Sequence, residues 1–87
     1  MKLSPDFLTY ESKGQHYLVA SGGASFNGIV NLNETAAFIT DMLKDGSDAD
    51  LISSALSANY PDEDEAKIKA DVEGVIGKLR GIGAVID

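Results

Sequence analysis

Residues 73–81 read EGVIGKLRG, a glycine-and-lysine pattern of the kind that could cradle phosphate. A phosphate-binding loop needs a glycine five positions before its Gly-Lys pair and a serine or threonine after it, because free backbone N–H groups and a magnesium-bound hydroxyl do the work. Val72 and Leu79 occupy those two positions, so the segment is read as helix interior. The acidic runs DGSDAD (45–50) and PDEDE (61–65) suggest calcium instead. An EF-hand loop wants oxygen ligands at alternate positions and a glycine at the sixth. Counting from Asp45, the sixth residue is Asp50. Carboxylates are also favourable at the positive end of a helix dipole; that role is expected of them, with no metal bound. His16 is the single histidine. Hydrolytic chemistry would need a nucleophile and an orienting acid within its reach, and no distinctive serine motif accompanies it. It reads as a histidine on a sheet surface, no catalytic residue is assigned, and no cofactor is expected.

The bulk properties narrow the classes further. The chain has 87 residues, which predicts one domain, 1–87. A domain of this size buries only about 60–70 % of its unfolded surface and has little room for an enclosed active site. Cysteine is absent, which excludes disulfides, zinc ribbons and thiol nucleophiles. No segment approaches the roughly 18 apolar residues of a membrane span, and MKLSPDFLTY lacks a signal peptide's apolar centre, so a cytoplasmic protein with no membrane partner is expected. Seven Lys and Arg face fourteen Asp and Glu, for a net charge of −7. Affinity for nucleic acid rests largely on cations that neutralise phosphates, so no nucleic-acid partner is expected either.

Alternation and helical spacing set out the elements. Residues 7–11 and 15–20 read as two strands joined through SKG as a hairpin. In the second, Tyr17 and Val19 share one face, and His16 and Leu18 the other. Residues 21–28, SGGASFNG, read as a long loop, and 28–32 as a third strand. Asn33 then predicts a helix N-cap, because its side-chain oxygen can accept from a free N–H of the first turn. Ala36, Ile39, Met42 and Leu43 follow at helical spacing, with Phe38 alongside, up to Gly46. A second helix is expected from Ser47 or Asp48 to Tyr60-Pro61, with Leu51, Ile52, Ala55 and Leu56 inward. Asp62 with Glu65 three residues later resembles an acidic capping box and predicts a third helix over roughly 63–80. Its apolar stripe is Ile68, Val72, Val75, Ile76 and Leu79. Gly74 and Gly77 inside it each cost about 1 kcal/mol relative to alanine, a cost that either plain tolerance or close approach of another backbone would explain. The final GIGAVID reads as a turn and an apolar tail. The fold class is α+β, winged-helix-like, with a three-stranded antiparallel sheet followed by three helices.

Within that order, VNLNETAAFI (30–39) resembles the signature of the PqqD-like family, whose members are also called RiPP recognition elements. ADVEGVIGKLRGIGAV (70–85) resembles the family's C-terminal pattern in Asp71-Val72, Val75-Ile76, Leu79 and Gly83. The likeness runs from about Phe7 to near the end; the glycine-rich 21–28 segment departs from it, being longer than the family's second turn. The resemblance implies a non-catalytic peptide chaperone. Such a protein binds the leader segment of a ribosomally made precursor peptide by strand addition, against the third helix, and presents it to a modifying enzyme, often a radical S-adenosylmethionine enzyme.

The residues make that mode physically reasonable. An edge strand carries unpaired N–H and C=O groups that an extended peptide can satisfy, with alternate side chains supplying selection. Gly28, Ile29, Val30, Asn31 and Leu32 are the expected edge, and Lys69, Val72, Glu73 and Ile76 the facing helix flank; Asp71, which fits the family pattern, either meets the peptide there or pairs internally. If the Val30 N–H faces outward, proline there would remove an edge donor. Ile29, Val72 and Ile76 could equally be ordinary core. The alternative is a winged-helix DNA-binding regulatory domain, which needs a basic recognition helix; residues 62–80 carry six acids against four bases. A small enzyme would need a convergent polar constellation, and none is found.

Overall fold

The computed structural model describes residues 1–20 and 28–87. The loop expected at 21–28 falls, apart from Gly28, outside the described residues. In chain order the elements are β1 (Lys2–Leu3), β2 (Phe7–Ser12), β3 (Gln15–Ala20), β4 (Ile29–Leu32), α1 (Glu34–Lys44), α2 (Ala49–Asn59), α3 (Glu65–Gly81) and β5 (Val85–Ile86). Strands β2, β3 and β4 form an antiparallel sheet in that spatial order, and β1 pairs with β5 in a separate two-stranded ribbon.

The β2–β3 hairpin closes through Lys13 and Gly14, both at positive φ (53° and 78°). A two-residue turn of this handedness matches the twist of its flanking strands, and glycine takes such a φ without strain. Ser12 therefore faces Gln15, and the register runs back to Phe7 opposite Ala20. Strand β4 joins on the other side of β3, with Val30 opposite Leu18 and Leu32 opposite His16. Directly paired residues share a face. One face of the sheet thus carries the buried Phe7, Leu18 and Leu32. The other carries Leu8, Tyr10, Tyr17, Val19, Ile29 and Asn31.

Each helix starts on the side chain its sequence supplies. The Asn33 Oδ1 accepts from Ala36 N at 2.8 Å, and the Asp48 Oδ1 from Leu51 N at 2.8 Å. The cap of α3 is Asp64, whose Oδ1 accepts from Ala66 N at 3.1 Å; Asp62, the expected cap, lies two residues upstream. Two of the four consecutive acids, Asp62 and Asp64, are competent caps, and the helix starts on the one nearer its first buried position, Ile68. Ala36, Ile39 and Leu43 of α1, Ile52 and Leu56 of α2, and Ile68, Val72, Ile76 and Leu79 of α3 enter one core cluster with the sheet's inner face. Thr40 is buried among them, and its hydroxyl donates to Ala36 O at 2.7 Å, which satisfies a polar group that would otherwise be costly to bury.

One further expectation changes. Leu51 is 60 % exposed rather than inward, because it stands one residue, about 100° of helix, from Ile52. A Cβ added at Gly74 or Gly77 would meet nothing within 4 Å among the described residues, which agrees with plain tolerance of the two glycines rather than close approach of a backbone. The C-terminal tail is a strand: Leu3 faces Val85, Lys2 faces Ile86, and Ser4 N donates to Ala84 O at 2.7 Å. Met1 ties the same end down, exchanging bonds with Ser47 across the α1–α2 turn.

Candidate functional site

Hydrogen-bond parity decides which groups of β4 are free. In an antiparallel pair, alternate residues exchange both main-chain bonds with their partner, and those between them point both groups the other way. Ala20 N donates to Gly28 O, so the bonded positions between β3 and β4 are Ala20 with Gly28, Leu18 with Val30, and His16 with Leu32. The two-residue turn gives the complementary parity on the other side of β3, where Gln15, Tyr17 and Val19 bond to β2. The N–H and C=O groups of Ile29 and Asn31 therefore point away from the sheet. Among the described residues nothing pairs with them. Strand β4 is an edge, and two of its residues carry the free groups.

This alters the part played by individual residues. Val30 spends its N–H on Leu18, so proline there would break the sheet from within; the outward donors belong to Ile29 and Asn31. Gly28, Val30 and Leu32 face β3 with their main chains. Gly28 has a φ of 138°, a conformation open to glycine, and the chain enters β4 through it. On the side chains, Ile29 is 65 % exposed, whereas Leu32 is buried and Val30 half-buried against the core. Of the residues allowed for as core, Ile29 is not, and Val72 and Ile76 are.

A hollow of about 330 Å³ opens where β4 ends, lined by Asn33 and Thr35 on one side and Asp71, Gly74, Val75 and Lys78 of α3 on the other. Thr35 and Asp71 also line an adjoining hollow of about 270 Å³ that reaches Leu56, Tyr60, Glu63 and Lys67. The two make one trough along the flank of α3, with Asp71 at its middle. Glu63 and Lys67 are 3.9 Å apart beside it.

The expected helix flank divides between two sides of α3. At 100° per residue, Asp71 lies about 200° from both Lys69 and Glu73, so one groove does not hold all three. Asp71 is in the trough. Lys69 turns the other way, with its Nζ 3.7 Å from Asp50 of α2, and Glu73 follows it one turn later. Gly74, Val75 and Lys78, which do line the trough, were readable as the i+3, i+4 and i+7 neighbours of Asp71. His16 lies with its Nε2 3.5 Å from Glu11, in a separate hollow of about 300 Å³ with Tyr10, Tyr17, Asp41 and Lys44. Among the described residues no group of three or more acids or histidines could hold a metal ion, and no helix is long and apolar enough to cross a membrane.

A family model described as coenzyme PQQ synthesis protein D (PqqD) matches residues 12–85. No curated protein matches the sequence. Two solved structures share the fold. One is TbiB1 in complex with the TbiA(beta) leader peptide, 18% identical over 100% of both chains with a TM-score of 0.81. Another is lasso peptide synthetase B1 complexed with the leader peptide, 20% identical over 99% of this chain and 96% of that one, with a TM-score of 0.80.

Proposed function

The chain belongs to the PqqD family, and from that premise we propose that it binds the leader segment of a ribosomally synthesised precursor peptide and presents it to the enzyme that modifies the peptide. The leader adds as an antiparallel strand on β4. It exchanges main-chain bonds with Ile29 and Asn31, and it lays its inward side chains over Val30 and into the trough beside Asp71, Gly74 and Val75. The observation that carries this reading is the parity of β4: two alternate residues, Ile29 and Asn31, have both main-chain groups unpaired among the described residues at an exposed edge, and the trough begins where that edge ends. Strand addition is the binding mode such an edge supports, because main-chain bonds give affinity for an extended chain whatever its sequence. Residues 1–87 act as a single peptide-binding module. Catalysis belongs to the partner enzyme, of which a radical S-adenosylmethionine enzyme is one kind, and both act in the cytoplasm.

The net charge of −7 and the ion-paired, mixed-charge α3 give a DNA-binding reading no comparable support. The test is calorimetric titration of a synthetic peptide that spans the leader of the precursor encoded beside this chain's gene. Saturable one-to-one binding is expected. Asn31→Pro removes one outward donor at a position where an edge strand tolerates proline; it is expected to abolish that binding with the far-ultraviolet circular dichroism of the helices unchanged. Undiminished affinity in Asn31→Pro, or no binding by the wild-type protein, would overturn the proposal.

A further inference from the structure

We propose that the leader is selected on the outer face of the sheet, by one apolar side chain seated against Ile29. This rests on strand addition at β4 and adds to it a second reading surface, on the side of the sheet away from α3. Two residues that exchange main-chain bonds across an antiparallel pair have Cα atoms about 5.5 Å apart and point their side chains to the same face. The guest residue bonded to Ile29 therefore stands on the outer face whatever its identity. There it extends a cross-strand row. Leu8 faces Val19, and Val19 faces Ile29, with Leu8 and Ile29 61 % and 65 % exposed. This row is apolar from end to end and stops at the free edge.

The next row differs. Tyr10 faces Tyr17, their ring centroids 6.3 Å apart, and Tyr17 faces Asn31. The guest residue bonded to Asn31 meets a polar neighbour and is under no apolar demand. Between these two guest residues, the one opposite Val30 points inward to the core margin. The leader segment recognised here is thus an extended run of three: an apolar residue outward at Ile29, an apolar residue inward at Val30, and a polar or aromatic residue outward at Asn31. No charged side chain stands in either outer row, so a charged guest residue at Ile29 would find no counter-ion and would remove apolar surface from contact. Aromatic and β-branched cross-strand pairs stabilise a sheet, and Ile29 is the position at which this sheet offers such a pair to a newcomer.

The experiment uses the synthetic leader of the neighbouring precursor and a set of its variants in which each residue in turn is lysine. Against wild-type protein, one of the lysine peptides is expected to lose at least about tenfold in affinity through the Ile29 position. Ile29→Glu, at an exposed site, is expected to fold as the wild type does by circular dichroism and to bind the parent leader at least about tenfold more weakly. The same single lysine peptide is expected to restore its affinity to within about threefold, because the two charges then face each other across the pair. Leu8→Glu, in the same row but with two strands between it and the guest, leaves affinity within about twofold. Undiminished binding of the parent leader by Ile29→Glu, or a loss that no lysine peptide reverses, would overturn the inference. Failure of strand addition itself looks different: wild-type protein does not bind the parent leader, or Asn31→Pro binds it as well as the wild type, and the outer-face reading then falls with it.

Discussion

Asn33 serves two neighbours at once. Its side-chain oxygen holds the first turn of α1 through Ala36 N, while the residue itself closes β4 and walls the trough. Replacing it with alanine is expected to cost about 1 kcal/mol, the usual value of an N-cap, and so to lower the thermal midpoint by about 4–8 °C in a domain this small. Asn33→Asp keeps an acceptor and is expected to keep most of that stability, with thermal circular dichroism reading both. Gly77 works in the opposite direction. It sits exposed in mid-helix, and a Cβ there meets open space among the described residues, so no contact among them offsets its conformational cost. Gly77→Ala is expected to raise stability by about 0.8–1 kcal/mol, and a lower midpoint in the same melt would show that the glycine has a hidden structural role. Val72 is fully buried; its truncation to alanine is expected to cost on the order of 2 kcal/mol through lost burial and the cavity left behind.

At the scale of elements, legibility followed how local the determining force was. The hairpin was readable because Lys13-Gly14 supplies its own left-handed turn, and α1 was readable because Asn33 caps it within three residues. The start of α3 was blurred because Asp62 and Asp64 are both competent N-caps and differ only in their place relative to Ile68. The β1–β5 ribbon was not readable: Lys2-Leu3 and Val85-Ile86 are two residues each, too short for a pattern, and they pair only because α3 returns the C-terminus to the N-terminus. Strand β4 is one of the two edge strands of the β2–β3–β4 sheet, but its outward donors were not readable, since parity depends on which side of β3 the hairpin bonds occupy. Opposite sides of α3 could have been told apart from the 100° step alone, which separates Asp71 from Lys69 and Glu73. The ribbon carries a prediction of its own. Ala84 and Val85 are buried and Ser4 bonds to Ala84, so ending the chain after Gly83 uncovers the bottom of the core. A loss of about 3 kcal/mol is expected from burial alone, measured as a shift in urea midpoint, with the β4 edge unchanged.

Among the described residues, the sheet is covered on one face only. Helices pack on the side of Phe7, Leu18 and Leu32, and the other side leaves Leu8, Tyr10 and Ile29 exposed beside an unpaired edge. Such a surface is a template for pairing with any extended chain, including a second copy of itself. The sequence opposes that with charge rather than with a blocking residue: β4 contains neither proline nor lysine, and the net charge is −7. Like-charged copies repel over roughly 10 Å in 0.1 M salt but only about 3 Å at 1 M. The protein is therefore expected to sediment as a monomer at low ionic strength and to associate as salt rises towards 1 M. A saturating leader peptide, by occupying β4, is expected to suppress that association, and Asn31→Pro to suppress it without the peptide. If sedimentation shows association that grows with salt yet ignores both the leader and the proline, the open edge is not the surface through which this chain meets others.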